Sequence, residues 1–326
     1  MPDVQLQRKG RIMFKFALML AALMLETTLF GSGALLAEDS GRWSAGAPMP
    51  SARTEVSAAE VNGKIYVAGG LGARRELEIY DPATDGWSRG VPIPRVVHHA
   101  AAVGWNGKLY LIGGYLDRSW TPSDAVHEYD PETGRWRDLA PLPTARGALA
   151  AAVLDGHIHA VGGVGLDRKN TNAHESYDPT TNRWTVRAPL PTARDHLAVA
   201  TVSGRLYAIG GRINGDYDRN LTANEAYDPM ADRWEEKAYL PTARSGIAAA
   251  VLDSHIFVVG GEGKSGTFSE VEAYDPRTNS WNAYAPMPTA RHGLGVAVVD
   301  DKLFVIAGGP KPGASRSAAN EIFVAR

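Results

Sequence analysis

The sequence of 326 residues contains no cysteine. This absence excludes a disulfide framework, a cysteine nucleophile, a cysteine-ligated zinc or iron–sulfur site and a c-type haem attachment. It also excludes the lipid-modified cysteine that anchors a bacterial lipoprotein. The fold must therefore be held by packing, hydrogen bonds and ion pairs, without covalent cross-links.

The chain also lacks an excess of positive charge and a long hydrophobic run. Lys and Arg number 34 against 36 Asp and Glu, a formal net charge of −2, so the chain has no positive field of the kind that general nucleic-acid binders use. An apolar run covers residues 16–25, and Glu26 ends it well short of the ~20 apolar residues that span a bilayer. We therefore expect no nucleic-acid partner and no stable membrane span.

The N-terminal segment has the order of a secretory signal peptide. The basic residues before the apolar run are Arg8, Lys9, Arg11 and Lys15. Small residues follow the run, which completes the pattern. We predict that residues 1–37 are a cleaved signal, and cleavage after Ala34 or after Ala37 fits equally well. After cleavage, residues 38–326 would be exported to the periplasm or the cell exterior. The alternative is an uncleaved membrane anchor, which the short apolar run disfavours.

A repeat fills the remaining sequence, and its most regular mark is a glycine doublet. The doublets recur at intervals of 44 to 50 residues, at Gly69-Gly70, Gly113-Gly114, Gly162-Gly163, Gly210-Gly211, Gly260-Gly261 and Gly308-Gly309. The first five are each followed by Tyr-Asp-Pro, with a Trp always seven residues after the Tyr. These Tyr–Trp pairs are Tyr80 and Trp87, Tyr129 and Trp136, Tyr177 and Trp184, Tyr227 and Trp234, and Tyr274 and Trp281. A fixed offset in five copies indicates a structural repeat.

Each repeat divides into four short apolar runs separated by turns. Dipeptides such as Asn62-Gly63 and Asn106-Gly107 suit a tight hairpin between the first two runs. The glycine doublet ends the second run, the Tyr ends the third, and the Trp opens the fourth. Short runs rich in Val, Ile and Tyr predict an antiparallel all-β fold.

The doublet, the Tyr and the Trp at these spacings resemble the kelch repeat, and the resemblance covers residues 43 to about 325. Kelch repeats form β-propellers, so the resemblance implies a six-bladed β-propeller of four-stranded antiparallel blades, numbered here from one to six along the chain. Residues 321–324 fit a third strand with Phe323 in place of the Tyr, and no fourth strand follows. We expect the N-terminal strand around Trp43 to join this C-terminal blade and close the ring.

Two charged residues of the repeat are present or absent together. An arginine precedes the first strand of five blades, and Val97 replaces it in blade two. A glutamate precedes the repeat Tyr, or Phe323, by two residues in the same five blades, whereas blade two has His127. This joint pattern predicts a buried Arg–Glu pair within each of the five blades, in preference to a cationic ring around the channel.

Blade six departs from the glycine pattern. Its doublet lies one residue further from the repeat arginine than in the other blades, so Ala307 stands in the register of the first glycine. This shift predicts either a one-residue bulge or a displaced doublet.

Candidate site residues are those that depart from the repeat on one face. The segment before the first strand and the loop between the second and third strands emerge on the same face of a blade, where loops carry function. Candidate ligand-binding residues directly after the repeat arginine or its substitute are Glu55, His98, His99, Asp195, His196 and His292. The neighbouring loops add Tyr115, Arg118, Trp120, Arg212 and Tyr217.

No metal or cofactor is expected at these residues. The histidines lie on separate blades and form no closely spaced zinc motif. Ordinary hydrogen bonding at the mouth of the channel, or acid–base chemistry by His196 with Asp195 or Glu55, both stay open. The sequence assigns no catalytic residue.

Two classes of function follow from the resemblance. Kelch propellers most often act as binding modules, which implies a protein or glycan ligand at the variable loop face. The alternative is a carbohydrate-active enzyme resembling the periplasmic N-acetylneuraminate epimerase, a mutarotase. No active-site motif of that family matches this chain residue by residue, which favours the binding module. Kelch copper oxidases are disfavoured, because their cofactor needs a cysteine crosslinked to a tyrosine.

Overall fold

The computed structural model describes residues 40–116 and 119–325. The predicted signal peptide, residues 1–37, and the candidate residue Arg118 lie outside the described residues, so signal cleavage stays a prediction. Across the described ranges the chain forms strands, turns and loops and no helix, hence none long and apolar enough to cross a membrane.

Six antiparallel sheets of four strands make up the fold, as predicted. The first strands are Ser57–Val61, Ala101–Trp105, Ala150–Leu154, Ala198–Val202, Ala248–Leu252 and Gly295–Val299. The second strands are Lys64–Ala68, Lys108–Ile112, His157–Val161, Arg205–Ile209, His255–Val259 and Lys302–Ile306. The third strands are Leu77–Asp81, Val126–Asp130, His174–Asp178, Asn224–Asp228, Val271–Asp275 and Asn320–Val324. The fourth strands are Gly86–Arg89, Arg135–Asp138, Arg183–Val186, Arg233–Glu236, Ser280–Ala283 and Arg42–Ala45.

The first strand of each blade is the innermost one. It contacts the first strands of both neighbouring blades, so the six strands surround a central channel. Two short ribbons extend the loops of blades four and five on the side where the first strands begin. They pair Arg212–Ile213 with Asp216–Asn220, and Glu262–Gly263 with Gly266–Thr267. This arrangement is the six-bladed propeller that the repeat implied.

The ring is closed by the N-terminal strand, as the sequence predicted. Arg42–Ala45 pairs antiparallel with Asn320–Val324, and Trp43 lies opposite Phe323 with ring centroids 5.1 Å apart. Blade six therefore takes its fourth strand from the other end of the described chain. A sheet edge that would otherwise be open is thereby paired.

The repeated Trp residues tie neighbouring blades together. Each indole Nε1 donates a hydrogen bond of 2.8–2.9 Å to a carbonyl just after the fourth strand of the preceding blade. These donor–acceptor pairs are Trp43–Ala285, Trp87–Ala47, Trp136–Val91, Trp184–Ala140, Trp234–Ala188 and Trp281–Ala238. Each indole also packs on the Tyr or Phe of its own blade, at 4.9–5.3 Å between centroids. These aromatic residues therefore pack within each blade and join it to the preceding one.

Blade six has a displaced doublet and no bulge. Ala307 has φ 59° and Gly308 φ 93°, which match φ 61° at Gly69 and φ 94° at Gly70 of blade one. Strand pairing in blade six is as regular as in blade one. Ala307 therefore occupies a left-handed position that costs a non-glycine residue roughly 1–2 kcal/mol.

The five predicted Arg–Glu pairs are present and buried. Arg53, Arg146, Arg194, Arg244 and Arg291 contact Glu78, Glu175, Glu225, Glu272 and Glu321, respectively. All five arginine side chains have zero exposure. Each guanidinium also donates to a backbone carbonyl of the second strand, as Arg194 does to Ala208 at 2.9 Å. The repeat arginines thus belong to the scaffold and do not line the channel.

Loss of one partner of such a pair leaves the other charge buried and unpaired. We expect Arg194→Met and Glu225→Gln each to lower the free energy of unfolding by about 3–5 kcal/mol, and the double variant to lose about 2 kcal/mol less than the sum. Urea unfolding measures all four proteins. The half-exposed pair Arg205–Glu235, 3.3 Å apart, is the control, with an expected coupling of about 0.5 kcal/mol. Additive losses at Arg194 and Glu225 would contradict the pairing.

Blade three has two histidines in its core. His159 occupies the second-strand position of Tyr66, Tyr110 and Tyr207, and its Nδ1 lies 2.8 Å from Nε2 of His174. Burial lowers the pKa of His159 to about 3 and that of His174 to about 4. Both imidazoles are therefore neutral in the folded protein near neutral pH.

A histidine with a lowered folded pKa destabilises the protein in acid, because the unfolded chain takes up the proton first. The contribution of His159 to the free energy of unfolding is fully present above its unfolded pKa of about 6.5. It decreases as the pH drops towards about 3. The free energy of unfolding of the wild type should fall between pH 8 and pH 5. In His159→Tyr this fall should be smaller by about 2 kcal/mol. Urea unfolding at both pH values tests this, with the more exposed neighbour His157→Gln as control. An unchanged loss in His159→Tyr would show that His159 is not held neutral.

Candidate functional site

The candidate site rests on a ring of six residues at one mouth of the channel. They occupy the second position after the repeat arginine, or after Val97 in blade two, and each has a positive φ of 53–63°. This mouth ring consists of Glu55, His99, Ala148, His196, Gly246 and Gly293. Each N–H donates to the carbonyl of the equivalent residue in the preceding blade, at 2.7–3.1 Å, so six hydrogen bonds form a closed cycle.

The mouth ring lies at one end of a cavity of about 160 Å³. Below the ring, the walls are the first strands, which present mainly Ala, Val and Leu. The polar ring residues Glu55, His99 and His196 therefore stand above walls whose side chains are mainly small and apolar. Charges at such a mouth are only partly solvated, which strengthens interactions among them.

A second layer of residues surrounds the mouth ring. In each blade, the residue before the ring position bridges by backbone hydrogen bonds to the residue that follows the glycine pair, or that follows Ala307-Gly308 in blade six. The six bridges are Thr54–Leu71, His98–Tyr115, Gly147–Val164, Asp195–Arg212, Ser245–Glu262 and His292–Gly309. The structure thus brings the candidate residues after the arginine and those after the doublet to one place.

Arg212 is the cationic centre of the cluster. Its Nη1 donates to Oε1 of Glu262 at 2.6 Å, and its Nε lies 3.3 Å from Oδ1 of Asp195. The guanidinium also stands over the ring of Tyr217, 4.8 Å from the centroid. Burial alone would lower the pKa of Arg212, but the carboxylates of Glu262 and Asp195 raise it, so the guanidinium is charged.

His196 is held in one tautomer by its neighbours. Its Nε2 lies 3.1 Å from Nη2 of Arg212, which can only donate, so Nε2 accepts. Its Nδ1 therefore carries the proton and donates to Oδ1 of Asp195 at 2.5 Å. Burial acts to raise the pKa of Asp195, but His196 and Arg212 hold it below its ordinary value. The carboxylate of Asp195 thus stands directly behind the imidazole of His196.

His292 is a buried cation. Its Nδ1 lies 3.0 Å from the carbonyl of Gly309, and its Nε2 lies 2.8 Å from that of Gly313. Both nitrogens face acceptors, so both must donate. Burial lowers the pKa of His292, but Glu55 and Glu262, each 3.4 Å away, outweigh it and raise that pKa.

Glu55 joins His292 to the other side of the mouth. Its Oε2 lies 3.2 Å from Nε2 of His99. Burial acts to raise the pKa of Glu55, but His99 and His292 hold it well below its usual range. Burial lowers the pKa of His99, so this imidazole is neutral beside the Glu55 carboxylate.

An aromatic cluster borders the mouth at blade two. The His99 ring lies 4.8 Å from Trp120 and 5.6 Å from Tyr115, between centroids, and His98 contacts the same two rings. Trp120 is 44% exposed, whereas Tyr115 is buried, which raises the pKa of its hydroxyl. Trp120 therefore presents an aromatic surface to solvent beside the polar cluster.

All the candidate residues that the structure describes belong to this one connected cluster, and Arg118 lies outside the described residues. Sequence reasoning missed Glu262, which ties Arg212 to His292 and accepts from Gly313 N–H at 3.0 Å. It also missed Asn170, whose amide donates to Asp195 at 2.5 Å. Glu262 could have been found, because it follows a glycine doublet directly, as Arg212 does.

Two groups of side chains in the cluster have the spacing of metal ligands. Glu55, His99 and His196 form one, and Glu55, Glu262 and His292 form the other, with ligand atoms within 4.8 Å in each. The second group needs a lone pair on His292, whose two nitrogens both donate. Only the first group is therefore chemically suited to a cation.

Comparison with known proteins identifies the family. The KLHDC2/KLHL20/DRC7 kelch-repeats domain matches residues 98–309, and the kelch motif matches residues 52–94. The chain belongs to the kelch-repeat family. The solved structure of YjhT is similar to this kelch propeller, with a TM-score of 0.75 over 85% of this chain and 96% of that chain. At 18% identity the likeness to YjhT concerns the fold alone, and no curated protein matches the sequence.

Proposed function

We propose that this kelch propeller is an exported binding module that holds a protein or glycan ligand at the loop face around the mouth ring. One observation carries the proposal. The side chains that break the repeat form one connected cluster at one end of the channel, whereas the repeated Arg, Glu, Tyr and Trp are occupied in the scaffold. The order of basic, apolar and small residues in the first 37 residues supports export.

The chemistry of the mouth suits a ligand that is polar on one side and apolar on another. Asp195, Glu262 and Arg212 can exchange hydrogen bonds with hydroxyl or amide groups. Exposed Trp120 can stack against a sugar ring or a flat side chain. Kelch propellers generally mediate protein interactions, and the same combination of groups recognises peptide backbones and glycans alike.

Trp120 gives a test that leaves the buried network intact. A glycan array and capture of envelope proteins identify ligands of the wild type, and titration of one purified ligand gives the affinity. We expect Trp120→Ala to weaken binding about tenfold, the upper range for one aromatic contact. Trp105, 39% exposed at the far end of the first strand of blade two, is the matched control, and Trp105→Ala should leave the affinity unchanged. Equal affinities in the two variants, or a wild type that binds neither class of ligand, would place the function elsewhere.

A second function, a sugar-active enzyme, is favoured by the tautomer of His196. Its Nδ1 is backed by the Asp195 carboxylate, and its Nε2 would act as a general base once a substrate hydroxyl replaces the hydrogen bond from Arg212. Interconversion of the anomers of a reducing sugar needs proton transfer to and from the anomeric hydroxyl and the ring oxygen. This chemistry corresponds to the mutarotase that the sequence suggested as an alternative.

Proton NMR of N-acetylneuraminate anomers distinguishes the enzyme from the binder. If the protein is a mutarotase, the wild type accelerates equilibration of the two anomers, and His196→Gln lowers the rate of this reaction at least about a hundredfold. His255→Gln, on the opposite face, should retain the wild-type rate. No acceleration by micromolar wild-type protein would remove the mutarotase and leave the binding module.

A further inference from the structure

We propose that Glu55, His99 and His196 of the mouth ring bind a divalent transition-metal ion. The proposal does not depend on the glycan or protein ligand, because it concerns the protein alone. Two imidazoles and one carboxylate are a ligand set that binds Zn²⁺ with a further position open, and that also suits Fe²⁺ or Co²⁺.

The positions of the three ligands are set by the scaffold. They occupy equivalent positions on blades one, two and four, and the closed cycle of backbone hydrogen bonds holds their main chains in place. Oε2 of Glu55 and Nε2 of His99 are 3.2 Å apart, close to the edge of about 3.3 Å in a tetrahedron with bonds of about 2 Å. A ligand atom of His196 lies within 4.8 Å of both. Small side-chain movements therefore complete the coordination.

Each ligand has a second partner that would orient it. Asp195 accepts from Nδ1 of His196, which is the carboxylate–histidine arrangement found behind metal-binding imidazoles. Nδ1 of His99 lies 2.6 Å from Nδ1 of His98, and Oε1 of Glu55 lies 3.4 Å from His292. These contacts fix ring orientation and leave one face of each ligand towards the mouth.

The other ring positions leave space for the ion and its remaining ligands. They are Ala148, Gly246 and Gly293, and the cavity of about 160 Å³ lies directly against the ring. A side chain at Gly293 would meet Glu55, since an added Cβ would lie 2.6 Å from its Cδ. Glycine at this position therefore gives the Glu55 carboxylate room to face the channel.

The side chains around the three ligands place both acidic and basic groups near the ion. Asp195 lies behind His196, and Glu262 contacts both Arg212 and His292. Arg212 opposes the ion locally. Its Nη2 donates to Nε2 of His196 at 3.1 Å, so a metal ion must replace that hydrogen bond. Arg212 keeps its contacts with Asp195 and Glu262 when this bond is lost.

The sequence predicted no metal because the candidate ligands lie on separate blades and are far apart along the chain. A zinc motif on one helix or hairpin needs ligands a few residues apart. In a propeller, equivalent residues of separate blades meet around the channel. Ligands 44 and 97 residues apart, from Glu55 to His99 and from His99 to His196, therefore come together without any local motif.

Metal titration of the purified protein after removal of ions by a chelator tests the site. We expect one Co²⁺ per chain with a visible d–d spectrum of nitrogen and oxygen ligation, displaced by Zn²⁺. Glu55→Gln, His99→Gln and His196→Gln should each weaken Co²⁺ binding at least about tenfold. His157→Gln, on the opposite face, is the matched control and should bind as the wild type does. Arg212→Met should tighten binding, because it removes the competing cation.

A measurement on the wild type guards against variants that do not fold. Long-range proton–nitrogen NMR spectra follow the nine histidines, and Zn²⁺ should shift His99 and His196 and leave His157 and His255 unchanged. Circular dichroism verifies that each variant is folded. A folded wild type that binds neither Co²⁺ nor Zn²⁺ with a Kd below about 1 mM, or shifts confined to other histidines, would overturn the site. Neither result bears on the Trp120 titration, so the two proposals fail separately.

Discussion

The closed cycle of six backbone hydrogen bonds at the channel mouth is the constraint on which the site depends. It requires a left-handed backbone at the same position in all six blades, a conformation that glycine adopts freely and other residues at a cost. Blades five and six have glycine there. Glu55, His99, Ala148 and His196 occupy it in spite of the strain. Strained non-glycine residues concentrate at functional sites, and three of these four carry the polar chemistry of the mouth.

The scaffold keeps its own charges away from this mouth. Each repeat arginine is directed into its blade, where a glutamate and backbone carbonyls surround it. Blade two forms the same four strands with Val97 and His127 in place of the pair, so the ion pair is not needed to specify a blade. A buried pair adds little net stability over apolar residues, but either partner alone is costly. This explains why both charges are replaced together.

The sequence predicted the architecture because a propeller is a local pattern repeated six times. Fixed offsets between the glycines, Tyr and Trp determined the strands, and the incomplete sixth repeat predicted closure by the strand around Trp43. The candidate site was predicted in part, since register alone places Asp195 and Arg212 on one face. Contacts between blades depend on the radius and twist of the ring, which no offset records. The approach of Glu55, His99 and His196 was not foreseen for this reason, whereas Glu262 follows its doublet as Arg212 does and could have been found from register.

Five blades contribute polar side chains to the mouth ring and its second layer, and blade three contributes none there. Blade three contributes Gly147, Ala148 and Val164 in place of charged residues, and the ring of Tyr115 lies over Gly147, where a Cβ would stand 2.5 Å from it. Beside these residues, a groove of about 490 Å³ runs between the two loop segments of blade three, and exposed Leu166 borders it. Asn170 of the same groove donates to Asp195. In the proposed binding module this asymmetry would orient a ligand. Its polar end would meet Asp195, Arg212 and Glu262, and its length would follow the groove of blade three.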